Sequence, residues 1–355
     1  MFVTHLKLIN WKNFRKINAD FQEITYITGP NASGKSNLLD VFRFLRDIAN
    51  PNGGSLLHAI NSRGGFSQVC CLAAEGNPNI LIDVSLTDSF DESPKWEYIL
   101  EIAQESTGKR LPFVAMEKVI DLRNQKIVLE RPDERDRCDK RLLSQTALEQ
   151  ISQNGKFRDV ADFFADVLFL NPVPQFLKFK NELTGNRMEN DPFGQGLLET
   201  IALTPEKVST ARLRRIESVL KEAILGMSNL IFERDGSGSP HLKMKFKHHK
   251  EWQSEEEFSD GMLRMIAFLW MLFGMKNLTL FEEPELSLHQ DIVEKIPELI
   301  LRVSNLRKNS GGQIFISTHS NEMLSSPVIR GQWLVLKPGD GNKGTEIASK
   351  NFFRE

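Results

Sequence analysis

Phe258-Ser259-Asp260-Gly261 opens an apolar run, Met262 to Met275, that closes on Leu278-Thr279-Leu280-Phe281-Glu282-Glu283-Pro284-Glu285. This stretch decides the fold. A Ser-x-Gly turn at a helix start presents a hydroxyl and backbone N–H groups at the positive end of the helix, a surface that binds phosphate. The strand that follows ends in two carboxylates. One of them can help hold a metal ion through water, and the next can orient or deprotonate an attacking water. We expect Glu282 at the metal and Glu283 at the water. The plainer alternatives are a Ser-Asp helix cap and acidic residues favoured by a helix dipole.

Upstream, Gly29-Pro30-Asn31-Ala32-Ser33-Gly34-Lys35-Ser36 supplies what those carboxylates need. Gly29 and Gly34 let the backbone turn its N–H groups inward. Lys35 then reaches the outer phosphates of a nucleoside triphosphate, and the Ser36 hydroxyl holds Mg²⁺. A β-rich segment, Ile24-Thr25-Tyr26-Ile27-Thr28, runs straight into the loop. Leu38, Leu39, Val41, Phe42, Leu45 and Ile48 follow at helical spacing until Asn50-Pro51 stops the helix. That context separates a phosphate loop from a chance Gly-Ser turn. His319 follows a further buried-looking strand, where it can hydrogen-bond a γ-phosphate or position the water of Glu283; an isolated histidine is more often structural. A domain with one phosphate loop cannot easily fold Ser259, Asp260 and Gly261 back over its own nucleotide. Their natural partner is the nucleotide of a second copy, so two ATP molecules are expected between two subunits.

The remainder reads as α/β structure with an insertion. At 355 residues, 40% of them apolar, the chain is long enough for one large domain or two moderate ones. A net charge of −2 demands neither nucleic acid nor membrane. Cys70, Cys71 and Cys138 form neither a disulfide framework nor a spaced metal site, which fits a reduced cytoplasm. Met262–Met275 contains Arg264 and is too short to span a bilayer. The amino terminus alternates like a strand and lacks the pattern of a signal peptide.

Three parts are expected. Residues 1–132 form the first half of a nucleotide-binding head, with strands near Val69–Leu72, Ile80–Leu86, Trp96–Ala103 and Val114–Val128. Residues 133–230 form a charged, helical insertion broken at Pro172, Pro174, Pro192 and Pro205, with an amphipathic helix at Arg212–Leu225. Residues 231–355 form the second half, with a strand at His241–Lys247, a helix at His289–Asn309 and strands at Gln313–Ser317 and Trp333–Leu336. Alternating strands and helices imply a mostly parallel sheet with its ligand at the carboxyl ends of the strands, beside an antiparallel β subdomain. In His241–Lys250 apolar and basic residues alternate. Lys243, Lys245 and Lys247 on one strand face either neutralise DNA phosphates or form a solvated, edge-protecting row.

Together, and in this order, these elements resemble the ATP-binding-cassette ATPases, within them the branch of RecF-type, structural-maintenance-of-chromosomes (SMC) and overcoming-lysogenization-defect proteins. Leu6-Lys7-Leu8-Ile9-Asn10-Trp11-Lys12-Asn13-Phe14-Arg15 is similar to that branch's opening strand and Asn-Phe-Arg turn. Asn31 and Asn37 are typical of it, as is Glu282-Glu283-Pro284-Glu285 followed by Leu288-His289. The resemblance implies a P-loop ATPase head using ATP and Mg²⁺, with Arg15, Asn31, Ala32 and Asn37 joining the loop at the nucleotide. It also implies a metal-contacting glutamine after the first helix, for which Gln68 is the candidate. Asp260 stands where transporters more often carry glycine, which argues against a transport cassette, and Glu282 stands where many relatives carry aspartate. The few dozen residues after His319 hold no acidic cluster, so no nuclease domain is expected. The resemblance points to the sensor or regulatory ATPase of a bacterial antiviral defence complex, a homodimer or higher oligomer acting with a separate nuclease-like or toxin-like effector. The alternative is a RecF-like DNA-repair ATPase that binds DNA.

Overall fold

Beta-branched and aromatic runs order into three sheets in the computed structural model, which describes residues 1–74, 76, 78–179, 193–274, 277–306, 312–339 and 343–353. The expected break at Pro192, the helix end at Met275 and residues 307–309 of the expected last helix lie outside these. The strands are β1 (Phe2–Trp11), β2 (Phe14–Asp20), β3 (Ile24–Thr28), β4 (Ile80–Thr87), β5 (Trp96–Gln104), β6 (Pro112–Asp121) and β7 (Lys126–Arg131), then β8 (Leu168–Leu170), β9 (Met227–Arg234), β10 (Pro240–Phe246) and β11 (Trp252–Ser254). The last four are β12 (Leu278–Glu282), β13 (Gln313–Thr318), β14 (Gly331–Pro338) and β15 (Thr345–Phe353).

One sheet has the order β2-β1-β4-β5-β6-β7 and is antiparallel throughout. Its strands β4 and β5 alternate buried and half-exposed residues, so one face covers core. A second sheet has the order β15-β14-β3-β13-β12-β8, parallel except for β15. Its central strands are buried on both faces, as parallel strands flanked by helices must be. A small antiparallel sheet, β11-β10-β9, stands apart from these in pairing.

The helix Lys35–Ala49 buries Leu38, Leu39, Phe42, Leu45 and Ile48 between the first two sheets. Phe21 stacks on Phe315 at 4.5 Å and meets Phe42 edge-on at 5.9 Å. Truncating a fully buried phenylalanine such as Phe42 costs about 3–5 kcal/mol. A second core surrounds the helix Asp260–Gly274, where Phe268, Leu269 and Trp270 pack under the parallel sheet. No helix among the described residues is long and apolar enough to cross a membrane.

Several local expectations differ from the structure. Phe66–Val69 is a helical turn, and Cys70 alone bridges to Trp11, because the glycine pair before it turns the chain at positive φ. His289–Asn309 is two helices, Gln290–Val293 and Ile296–Leu306; Pro297 fits the first turn of a new helix better than the interior of an old one. The middle region is more than helical. It supplies β8, which pairs with β12 at the edge of the parallel sheet.

Candidate active site

Strand order assembles the site. β3, β13 and β12 are neighbours and run parallel, with Thr28 opposite Thr318 and Ser317 opposite Glu282. The loops that leave these three carboxyl ends therefore open on one edge. The Ser36 hydroxyl donates to Glu282 Oε1 there, and Glu282 Oε2 lies 3.5 Å from Asn171 Nδ2, just past β8. A hydroxyl and a carboxylate side by side are hard oxygen donors, the set that Mg²⁺ takes. Asn171 was not foreseen; the signal was a short apolar run, Leu168-Phe169-Leu170, closed by Asn-Pro.

Lys35 is almost fully buried. Its ammonium donates to the loop's own carbonyls, Gly29 at 3.0 Å and Pro30 at 3.2 Å. Burial lowers its pKa, against the carboxylates of Glu283, Glu282 and Glu285, which raise it. His319 joins Lys35 to Glu283: Nδ1 lies 3.4 Å from Lys35 Nζ and Nε2 lies 3.0 Å from Glu283 Oε1. An ammonium only donates, so Nδ1 accepts and the neutral ring carries its proton on Nε2, directed at the Glu283 carboxylate. Glu283 itself sits at φ 43°, in the left-handed region that costs a non-glycine residue about 1–2 kcal/mol. Its N–H donates to Ser317 O at 3.0 Å, which ties that bend to β13.

The amino-terminal turn braces the phosphate loop. Asn13 Nδ2 donates to Ser33 O at 3.2 Å and to Thr345 Oγ1 at 2.6 Å, while its Oδ1 accepts from Asn37 Nδ2 at 2.8 Å. Gly34, at φ 95°, has no room for a side chain, since a Cβ there would stand 2.0 Å from Asn13 Nδ2. Asn31 and Ala32 are exposed at the loop's crest and Ser33 is buried beneath it. Arg15 is exposed at the start of β2. Gln68 lies on the helical turn Phe66–Val69. Among the described residues no hydrogen bond joins it to Ser36 or Glu282, and it lines a cavity of about 560 Å³ with Asn13, Asn37 and Arg63. Arg63 holds that turn against the loop helix through two 2.9 Å bonds to Asp40.

The Ser-x-Gly turn stands apart from this cluster. Ser259 is exposed and its hydroxyl accepts from Met262 N at 3.2 Å, capping the helix. Asp260 is held by Lys178 Nζ at 2.7 Å and Gln175 Nε2 at 3.0 Å. Among the described residues no hydrogen bond or ion pair joins Ser259, Asp260 or Gly261 to residues 29–37. One turn further along the helix, Nε and Nη1 of Arg264 are buried with no hydrogen-bond partner among the described residues. The lysine row is largely engaged within its own sheet. Lys243 pairs with Glu233 at 2.6 Å and Lys245 lies over Trp252 at 5.9 Å, leaving Lys247 exposed.

Comparison with known proteins agrees with this geometry. Residues 24–325 match the family described as "AAA domain, putative AbiEii toxin, Type IV TA system". A Helicobacter pylori protein named ATP/GTP phosphatase is 21% identical over 352 residues, covering 91% of this chain and 86% of its own length. The DNA replication and repair protein RecF of Roseiflexus castenholzii is 34% identical over 56 residues, 16% of this chain and 14% of RecF. An Smc head bound to the C-winged helix domain of ScpA superposes with a TM-score of 0.58 over 99% of this chain and 98% of that one, at 17% identity, which shows a shared fold.

Proposed function

This chain belongs to the AAA-domain family just described, and we propose that it hydrolyses ATP between two copies of itself. It is an ATPase of the RecF and SMC type. In the proposed cycle Lys35 exchanges the carbonyls of Gly29 and Pro30 for the outer phosphate oxygens, while Asn31, Ala32, Ser33 and Gly34 offer backbone N–H groups. Asn37, through Asn13, and Arg15 support the loop from the amino-terminal turn. Ser36 and Glu282 would hold Mg²⁺, whose charge would offset that of the phosphates. Glu283 takes the proton of the attacking water, and His319 keeps its carboxylate in place. Gln68, which lines one cavity with Asn37, would supply the metal-contacting glutamine.

One observation carries the pairing. The phosphate loop, both carboxylates and His319 converge on a single edge, whereas the exposed Ser259 hydroxyl makes no bond to that edge. Each subunit thus offers a nearly complete hydrolytic half and a separate phosphate-binding turn, which a second copy brings together. The test is single-particle mass measurement of Glu283→Gln in ATP and Mg²⁺. Particles of twice the 40.5 kDa chain mass are expected; single chains alone would sink the pairing.

The biological role we propose is the sensor or regulatory ATPase of a bacterial defence complex with a separate nuclease-like or toxin-like effector. The family description, which names a toxin of a toxin–antitoxin system, supports it, as does an Smc head that docks a second protein. Phage plating on a host carrying the native locus tests it. Lys35→Ala should abolish protection, and equal plating with native and mutant loci would remove the defence role.

A further inference from the structure

We propose that Glu285 is a positioning residue for ATP hydrolysis, clasping the turn after β13 so that the His319 ring spans Lys35 and Glu283. The inference rests on the reading of His319 and Glu283 as hydrolytic machinery and gives a role to Glu285, which the sequence motif left without one.

Glu285 lies three residues past the end of β12, on the same bend as Glu283. Its Oε1 accepts two bonds from the neighbouring turn: Thr318 Oγ1 at 2.5 Å and the His319 N–H at 3.1 Å. Thr318 Oγ1 in turn accepts from Ser320 N at 3.0 Å. Three consecutive residues of the β13 turn are thereby tied to one carboxylate. The bend is pinned a second time, by the Glu283 N–H on Ser317 O. Two bends held together at two points leave little freedom in the distance between the Glu283 carboxylate and the His319 ring. The ring needs that restraint. Its 3.0 Å contact to Glu283 and its 3.4 Å contact to Lys35 come from opposite nitrogens, so a small rotation of the His319 backbone breaks one or both.

Glu285 is poorly suited to act on water itself. Its Oε2 is buried with no partner among the described residues, and burial pushes its pKa up. A carboxyl group that faces the protein interior on one oxygen, and a side-chain hydroxyl and a backbone N–H on the other, serves as a clasp. Its removal should move the ring rather than the nucleotide. Misplacement of a catalytic group by about 1 Å costs roughly 10²-fold in rate.

The experiment is steady-state ATP hydrolysis by the full chain at limiting and saturating MgATP, with melting curves, for E285A, E285Q, H319A, T318V and the double variant E285A/H319A. E285A is expected to lower kcat roughly 10²-fold with KM little changed. E285Q should recover at least about tenfold over E285A, because an amide carbonyl accepts the same two bonds. In the H319A background E285A should cost nothing further, the signature of two residues acting as a unit. Native kcat in E285A, an unchanged fold-loss in the H319A background, or E285Q as slow as E285A would each overturn the proposal. Native kcat in H319A would overturn the reading of His319 and this inference with it, whereas a slow H319A beside a native E285A overturns the inference alone. Should E285A fail to fold, T318V, which removes the hydroxyl that donates to Glu285 and accepts from Ser320 N, takes its place in the cycle and must lose its effect when combined with H319A.

Discussion

Gly261→Ala perturbs the Ser-x-Gly turn, and through it the segment that carries Glu283, without touching the phosphate loop. A Cβ at Gly261 would stand 2.5 Å from Ser287 O and 3.3 Å from Leu288 Cδ2. Ordinary carbon contacts lie near about 3.5 Å, so roughly 1 Å of movement is required. The obstructing atom is a backbone carbonyl, which cannot swing aside as a side chain can. Ser287 is itself in the left-handed region at φ 64°, so its backbone has few other conformations to adopt. The segment must therefore shift as a body, and it begins at Glu283 and Glu285, two to four residues away. A displacement of about 1 Å at a catalytic group predicts a fall in kcat of roughly 10²-fold, near 2.7 kcal/mol on the barrier. The overpacked turn should also cost about 1–3 kcal/mol of stability. Phosphate release would give kcat, a fluorescent nucleotide would give ATP affinity, and circular dichroism would show that the variant folds. A folded Gly261→Ala protein with native kcat would refute the argument that this contact sets the position of Glu283.

Lys35→Ala removes a charged donor to the outer phosphates, worth about 1.5–3 kcal/mol and hence roughly 10–100-fold in affinity; calorimetry showing native ATP affinity would retire its assignment. Glu283→Gln should still bind ATP but hydrolyse it about 10²–10⁴-fold more slowly, and wild-type turnover would move the base elsewhere. Asp83 is raised to about 6 by burial, then by the nearby Glu97. The native chain therefore holds this proton more tightly than the unfolded one. Its stabilising contribution is complete below the ordinary aspartate range and is lost as pH rises through about 6. Asp83→Asn should accordingly raise Tm around pH 8, with the gap closing towards pH 4; a gap of equal size at both ends would show that Asp83 is not the titrating group.

The hydrolytic half was legible residue by residue because each part of it is local. A β-rich strand, a glycine loop and an apolar helix at 3.6-residue spacing define Gly29 to Ser36. An apolar strand capped by carboxylates defines Glu282 and Glu283, and another defines His319. Turn chemistry and periodicity act over a few residues, so they can be read without a fold. What could not be read depends on partners distant in the chain. Asn171 reaches Glu282 only because β8 adds to the edge of the sheet beside β12. Asn13 braces Ser33 only because the turn between β1 and β2 reaches the loop. Glu233 claims Lys243 across a strand pair, so a row of lysines that looked available for DNA is partly neutralised. The glutamine that the resemblance implies, Gln68, sits on a helical turn next to Arg63, whose bonds to Asp40 hold that segment against the loop helix. Local sequence thus determined the phosphate loop, the carboxylate pair and the mostly parallel character of their sheet. Packing between distant segments decided which polar side chains meet at the open edge, since strand neighbours are chosen by burial across the whole chain rather than by adjacent residues.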